Sequence, residues 1–288
     1  MYVVAGATGQ TGRAVADALL DGGHGVTILA RDEGKASGWK AKGARIAVAD
    51  LGDEAALARA LQGAAGAYLL VPPDYSASDY LADRRRLARS IGRAVSSSGI
   101  PHVVLLSSTG AHRAEDTGMI LAPRSGEEAI VPAARGVTVL RAAYFLENWA
   151  PVLGSAKENG VFPTFLTPDR KLPMVATRDI GSTAADALVH PAGGTRVIEL
   201  AGPEDESPND LARILSALLG RDVRAEPAPL SAVVPTFRSF GLSEGAARLS
   251  EEMFAAINQG RAGFEGDGAE LRRGATGAAD VFRGILGV

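Results

Sequence analysis

The sequence predicts an α/β fold, a doubly wound parallel sheet with a smaller, mainly helical C-terminal lobe, and three observations carry that reading. Short apolar runs alternate with helical patterns through roughly the first half of the chain. Several runs are continuous Val/Ile/Leu segments without polar alternation, as parallel strands covered on both faces require. From about residue 150 an aromatic, proline-containing stretch, Val161-Phe-Pro-Thr-Phe-Leu-Thr-Pro, breaks the alternation, and helical, glycine-rich sequence follows. Regular strand-helix alternation is what a doubly wound sheet produces.

The elements follow in order. Met1 to Ala5 reads as a strand running into the turn Gly6-Ala-Thr-Gly-Gln-Thr-Gly12, with a helical run from Arg13 to Leu20 behind it. That helix should stop near Asp21-Gly22-Gly23, because glycine accepts the left-handed C-terminal conformation. Further strands are expected at Gly25–Ala30, Ala44–Ala49, Ala67–Val71, His102–Ser107 and Val137–Arg141, and helices at Glu54–Leu61, Ser78–Ser98 and Ser125–Ala134. Later come a helix at Ile180–Val189, a strand at Arg196–Leu200 and a helix at Pro208–Leu219. The glycine-rich stretch from Asn258 to Gly268 reads as a mobile tip. The predicted division is residues 1–152, with a segment returning at about 172–200, as a nucleotide-binding Rossmann-type domain. Residues 153–171 and 201–288 then form a substrate-binding lobe.

Composition narrows the function. The chain has no cysteine, so disulfides, thiolate metal sites and a cysteine nucleophile are excluded. No metal site is expected. With Lys+Arg 30 against Asp+Glu 33, the net charge of −3 offers no footprint for nucleic acid. A strand starting at residue 2 leaves no room for a leader, and no apolar run reaches membrane length, so a cytoplasmic protein is expected. Oligomeric state stays open between a monomer and a homodimer, because helical faces can bury against either the lobe or a second subunit.

The turn carries the first chemistry. Gly6 allows a sharp bend, Gly9 removes the Cβ that would hold a pyrophosphate away, and Gly12 lets the helix approach the sheet. An anion would sit on the unpaired N–H groups of the helix N-terminus. The second strand ends at Arg31, about twenty residues after the turn, where an acidic residue selects the NAD ribose and a cation the NADP 2′-phosphate. Arg31 supplies a charged donor fork and Lys35 a second charge, so NADP(H) is expected over NAD(H). The competing arrangement is Arg31 paired with Asp32 or Glu33. Val71 and Pro72, at the end of the fourth strand, should line the cofactor cleft, although prolines there also simply stop a strand.

Longer motifs point to a family. The G-x-x-G-x-x-G spacing, Leu105-Leu-Ser-Ser-Thr-Gly-Ala-His, Thr138-Val-Leu-Arg-Ala-Ala-Tyr-Phe-Leu-Glu-Asn-Trp and Val175-Ala-Thr-Arg-Asp-Ile-Gly together resemble the NmrA-like atypical short-chain dehydrogenase/reductases. The layout of the C-terminal third is similar to that of the bacterial quinone and triphenylmethane-dye reductases within that family. The resemblance implies that Thr8 shapes the turn and that Gln10 and Thr11 face the cofactor. It also implies that Asp50, followed by Leu51, meets the adenine amine, though Asp50 could equally cap the next turn. Ser107, Ser108, Tyr144, Phe145, Glu147 and Asn148 would flank the nicotinamide. For these the alternatives are strand-end satisfaction by the serines and core packing by the aromatic pair.

The resemblance breaks at the proton donor. Short-chain dehydrogenases commonly use Tyr-x-x-x-Lys on one helix face, whereas the corresponding segment here, Met119-Ile-Leu-Ala-Pro-Arg-Ser-Gly-Glu-Glu-Ala, has neither residue. Arg124 stands near a position where relatives carry a basic residue, and it is either an anion holder or a surface residue. His112 is the histidine expected nearest a site, and Tyr144 is the remaining catalytic candidate. Phe145, Asn148, Trp149, Phe162 and Phe165 are expected to line the substrate pocket. These residues predict an NADPH-dependent reductase of a small conjugated acceptor such as a quinone, dye, enone or imine. The alternatives are a non-catalytic NADP(H) redox sensor and a reductase or isomerase within a biosynthetic pathway.

Overall fold

A computed structural model describes residues 1–288. Eight parallel strands form the main sheet in the order β13-β10-β6-β5-β4-β1-β2-β3. They are β1 (Tyr2–Ala5), β2 (Val26–Ala30), β3 (Arg45–Val48), β4 (Gly66–Leu69), β5 (Val103–Ser108), β6 (Val137–Ala142), β10 (Thr195–Ala201) and β13 (Glu270–Arg273). The order reverses between β1 and β4, which opens a crevice at the carboxyl ends of those strands.

Each face of the sheet is covered because its strands are apolar on both sides. Helices α1 (Gln10–Asp21) and α7 (Thr177–Val189) cover one face, over a core that includes Val4, Leu19, Ile28, Tyr68 and Leu140. Helices α3 (Glu54–Leu61), α4 (Tyr80–Ser98) and α5 (Leu121–Ile130) cover the other, over Val3, Leu29, Leu57, Ile91 and Leu105. The start of α4 is fixed by Asp79, whose carboxylate accepts the backbone N–H of Ala82 at 3.0 Å. Helix α2 (Glu33–Ala41), absent from the sequence reading, is short and buries only Ala36 and Trp39.

A third core gathers away from the sheet around Trp149, Phe162, Leu211, Phe254 and Phe282. Helices α6 (Ala150–Asn159), α8 (Pro208–Leu219), α9 (Val233–Ser239), α10 (Glu244–Asn258) and α11 (Ala278–Leu286) surround it. Two small sheets bind it together, β12 (Arg224–Pro227) beside β8 (Val161–Thr164), and β11 (Asp205–Glu206), β9 (Leu172–Val175) and β7 (Tyr144–Phe145) in a row. No helix is long and apolar enough to cross a membrane.

Two expectations for the C-terminal region need correction. Residues 270–273 do not belong with the helices of the third core, because they pair along β10 and complete the main sheet. The stretch from Asn258 to Gly268 is anchored, not a mobile tip. Asn258 Oδ1 accepts the N–H of Thr167 at 2.8 Å, and the buried Glu199 carboxylate accepts the N–H of Glu265 at 2.8 Å. Side-chain acceptors of this kind, the buried Glu199 above all, hold a loop that its glycines alone would leave free.

Candidate nucleotide and acceptor site

At the crevice the chain makes the turn that its glycines require. Gly6 takes φ 70°, a left-handed conformation that glycine adopts freely. A Cβ on Gly12 would stand 2.5 Å from the carbonyl oxygens of Ala5 and Gly6, so only glycine lets α1 sit this close to β1. Gly9 is the N-cap of α1 and supplies no capping side chain, and no acidic residue occupies the first turn. The first N–H groups therefore point outward without partners, as a phosphate cradle needs. Thr8, Gly9 and Gln10 are exposed and form one end of a groove of about 750 Å³ that runs between α1 and α7 past Asp17 to Asp21, away from the carboxyl ends of the strands. Thr11 departs from expectation. It is buried on the inner face of α1, with its hydroxyl beside the buried Tyr68 phenol, and faces the core.

At the end of β2 the possible partners of Arg31 are already engaged. Asp32 caps α2 by accepting the N–H of Gly34 at 2.7 Å, and Glu33 pairs with Lys40. Arg31 and Lys35 are exposed and form no ion pair, which leaves two free cations where a 2′-phosphate would lie. Asp50 Oδ1 accepts the N–H of Gly52 at 2.7 Å, so it closes its own turn, and Leu51 beside it is half-buried.

The loop after β4 contributes residues that sequence reasoning missed. Val71 and Pro72 are half-buried, and the buried guanidinium of Arg84 on α4 donates to the Pro72 carbonyl. Tyr75 stacks on Tyr80 with ring centroids 6.2 Å apart and planes 6° from parallel. Tyr144 is close enough for Tyr75 to raise its pKa, on top of the larger upward push from burial. Neither residue carried a sequence signal, since Tyr75 lies in a loop and the partner of Arg84 is a backbone carbonyl.

Past β5 and β6 a buried polar network replaces the expected open serine. Ser107 gives its hydroxyl to Glu127, so that group is spent inside the protein. Glu127 receives Arg141 in a bidentate pair at 2.9 and 2.7 Å, and Arg141 also pairs with Glu265. Burial works against the Arg141 charge, but these carboxylates outweigh it and raise its pKa. Ser108 is half-buried and donates to the Thr109 carbonyl.

Arg124 is committed to its own loop and helix. Its guanidinium donates to the carbonyls of Ala111 and His112, both at 2.9 Å, and pairs with Glu128 at 2.8 Å, which fixes the loop after β5. His112 is half-buried and its Nδ1 has no partner.

The aromatic residues divide between core and surface. Trp149 and the fully buried Phe162 sit 4.7 Å apart by ring centroid inside the third core, so they do not wall a substrate pocket. Tyr144 leans on Trp149 at 5.8 Å, and Phe145 is half-buried against the α1 and α7 core. Phe165 is half-buried beside Phe254 and Phe237, at 5.4 and 6.2 Å, and Phe240 lies beyond, 69% exposed. Asn148 is exposed. Glu147 Oε1 accepts the N–H and hydroxyl of Thr177 at the start of α7, at 2.9 and 2.7 Å, while its Oε2 is buried without a partner.

A second cavity of about 190 Å³ lies against the third core, between Leu146, Met174, Glu206 and Thr276. Burial pushes the Glu206 carboxyl up to about 7; Asp210 and Glu204 add to the shift and Lys171 opposes it. Its proton is held more tightly in the folded than in the unfolded chain. Its stabilising contribution is therefore full below pH about 4.5 and is lost as pH rises towards about 7. Glu206→Gln should flatten the melting temperature between pH 5 and 8, and an unchanged slope would exclude Glu206 as its source.

Comparison with known proteins gives these features a family. Residues 2–262 match the sequence profile described as NmrA-like family. The (4-alkanoyl-5-oxo-2,5-dihydrofuran-3-yl)methyl phosphate reductase of Streptomyces griseus is 33% identical over 230 residues, 78% of this chain and 76% of the relative. Quinone oxidoreductase 2 of Escherichia coli is 27% identical over 264 residues, 90% of this chain and 89% of that one. The triphenylmethane reductase of Citrobacter sp., solved with NADP(H), superposes with a TM-score of 0.84 at 20% identity, covering 99% of both chains. With most of its length accounted for by that profile, the chain belongs to the NmrA-like family.

Proposed function

We propose that this protein is an NADPH-dependent reductase of a small conjugated acceptor such as a quinone, dye, enone or imine. The observation that carries the reading is the pairing of an uncapped α1 N-terminus with an unpaired Arg31 at the end of β2. The residues present fit the cofactor. The bare Gly9 leaves room for a pyrophosphate, the first N–H groups of α1 bind it, and Arg31 and Lys35 hold the 2′-phosphate. Bound NADPH supplies a hydride. The relatives named as quinone oxidoreductase and furanone-type phosphate reductase, and the fold relative solved with NADP(H), support the same class.

The chain's own part is binding and alignment. Residues 1–152 with 172–200 hold the nucleotide, and the acceptor lies between them and the helices of the third core. Tyr75 offers flat apolar surface in the loop after β4, Tyr144 offers it at the edge of the third core, and Phe165, Phe237 and Phe240 offer more on the same lobe. Holding an electron-poor acceptor close and aligned supplies much of a hydride-transfer rate without a side-chain acid. Purified protein should oxidise NADPH with at least one member of a panel of quinones, cationic dyes, enones and imines. Turnover of none would remove the reading.

One set of observations favours the alternative, a redox sensor that binds nucleotide without turnover. Ser107 and Arg124 are engaged elsewhere and burial raises the Tyr144 phenol, so none of the three offers a free acid. Equal affinity for NADPH and NADP+ with no turnover would select it.

Gly9→Val tests the cradle directly. Gly9 has φ −97° and ψ −174°, an extended conformation that side chains adopt, but a Cβ there would stand 3.3 Å from the Gly6 carbonyl oxygen, so a melting curve must show that the variant is folded before its affinity is read. NADPH affinity should fall at least about tenfold, which is about 1.4 kcal/mol. Unaltered binding in a fluorescence titration would mean that the turn does not carry the phosphate.

A further inference from the structure

The loop after β5 holds more unsatisfied polar capacity than its surroundings explain. Nine buried side-chain nitrogens and oxygens in the whole chain lack a hydrogen-bond partner. Four of them, His112 Nδ1, Arg113 Nε, Thr117 Oγ1 and Arg261 Nε, belong to this loop and to the segment packed on it. An unpaired buried donor is costly, and a concentration of them in one place marks a site built for something else.

The two segments meet at Gly110, where a Cβ would stand 2.9 Å from Ala262 Cα. Arg113 makes no side-chain hydrogen bond and no ion pair, although its neighbour Arg124 makes three contacts. Arg261 has only the carboxylate of Asp116, at 3.7 Å and 60% exposed, too distant to be a hydrogen bond. Arg170 brings a further guanidinium against Gly260. Against these cations the same loop sets Glu115 and Asp116, both exposed. Asp116 is also the one non-glycine residue with positive φ, 59°, and such strain tends to gather at functional sites. The arrangement is held in place. Arg124 fixes the Ala111 and His112 carbonyls, and Glu252 on α10 accepts the N–H of Gly118 at 3.2 Å.

These cations are too far away to serve the nucleotide's 2′-phosphate. Arg31 ends β2 and the loop leaves β5, three strands away in the sheet order, or about 14 Å at the usual strand spacing. A second anion is needed to use them. We infer that Arg113 and Arg261 anchor a phosphate carried by the acceptor, with the conjugated part of that acceptor directed into the crevice. Both residues are only half-buried, so while each Nε is closed off inside the protein the outer nitrogens of the two guanidinium forks, which make no hydrogen bond, suit a dianionic oxygen cluster. The inference deepens the reductase reading and rests on it for the role of the bound molecule.

Binding can be measured apart from turnover. With the protein saturated in NADP+, 1-naphthyl phosphate should bind about tenfold tighter than 1-naphthol. Arg113→Met and Arg261→Met should each reduce that ratio to within about threefold, while Arg113→Lys retains most of it; melting curves identify any variant that fails to fold. A wild-type ratio near one, or a ratio unchanged in both methionine variants, overturns the inference. Turnover then separates the two readings. A hydroxymethyl naphthoquinone and its phosphate ester should differ in KM in the wild type, and the difference should shrink in the variants. If neither quinone is reduced while the naphthyl phosphate ratio holds and falls in the variants, the reductase reading fails and the phosphate site stands.

Discussion

Replacing Arg31 with alanine should weaken NADPH binding by about 10- to 100-fold and leave NADH within about threefold. A charge-assisted hydrogen bond contributes about 1.5–3 kcal/mol, and each 1.4 kcal/mol is a factor of ten in affinity. Most of that value is expected because Arg31 forms no ion pair, and Asp74 feels its charge only as the last of several influences. Asp32 is capping α2 and Glu33 is paired with Lys40, so no intramolecular ion pair has to break. Lys35→Ala should lose less, since a lysine at that range is a mobile point charge. Because Arg31 is exposed, the wild-type preference for NADPH should narrow as salt rises. Equal losses for the two nucleotides, measured by fluorescence titration, would sink the 2′-phosphate assignment.

The largest expected effect on stability lies at Arg141. Its side chain is 7% exposed, between Glu127 at 13% and Glu265 at 38%. Arg141→Met strands the Glu127 carboxylate inside the protein, and removing one partner of a buried pair costs about 3–5 kcal/mol. The same change frees Glu265 and loosens the glycine-rich segment behind it. Combining Arg141→Met with Glu127→Leu should recover at least half of the loss in urea denaturation, since well-packed apolar replacements of buried pairs are often neutral. A single-variant cost below about 1 kcal/mol would show that water reaches the pair.

Most of the sheet is legible in the sequence, and what escapes has a physical reason. The turn from Gly6 to Gly12 reads plainly because one position needs positive φ and another a missing Cβ, and only glycine meets either demand. Strands β1, β4, β5 and β6 read as strands because helices cover both faces and leave no room for polar alternation. Strand β13, Glu-Leu-Arg-Arg, carries three charged residues in four and is a strand only because β10 offers it a partner. The cofactor turn was visible, yet the surroundings of the acceptor were not. Trp149 and Phe162 have the composition of a pocket wall, and nothing in their spacing separates a wall from a core. Arg84 and Arg124 act on backbone carbonyls 12 and 12 to 13 residues away, and such partners leave no mark on residue type.

Strand β13 has one more consequence, for synthesis on the ribosome. About seventy residues separate the end of β10 at Ala201 from Glu270. At roughly 5–20 residues per second, each nascent chain spends about 4 to 14 s with one edge of β10 uncovered. An uncovered edge invites pairing with a neighbouring chain, and an inward-pointing charge is one way proteins discourage it. Glu199 lies in the middle of that edge, 1% exposed in the finished fold. Until Glu265 and Gly266 arrive to satisfy it, its carboxylate makes a premature apolar partner unwelcome, so the residue that later ties down the glycine-rich segment first guards the growing chain.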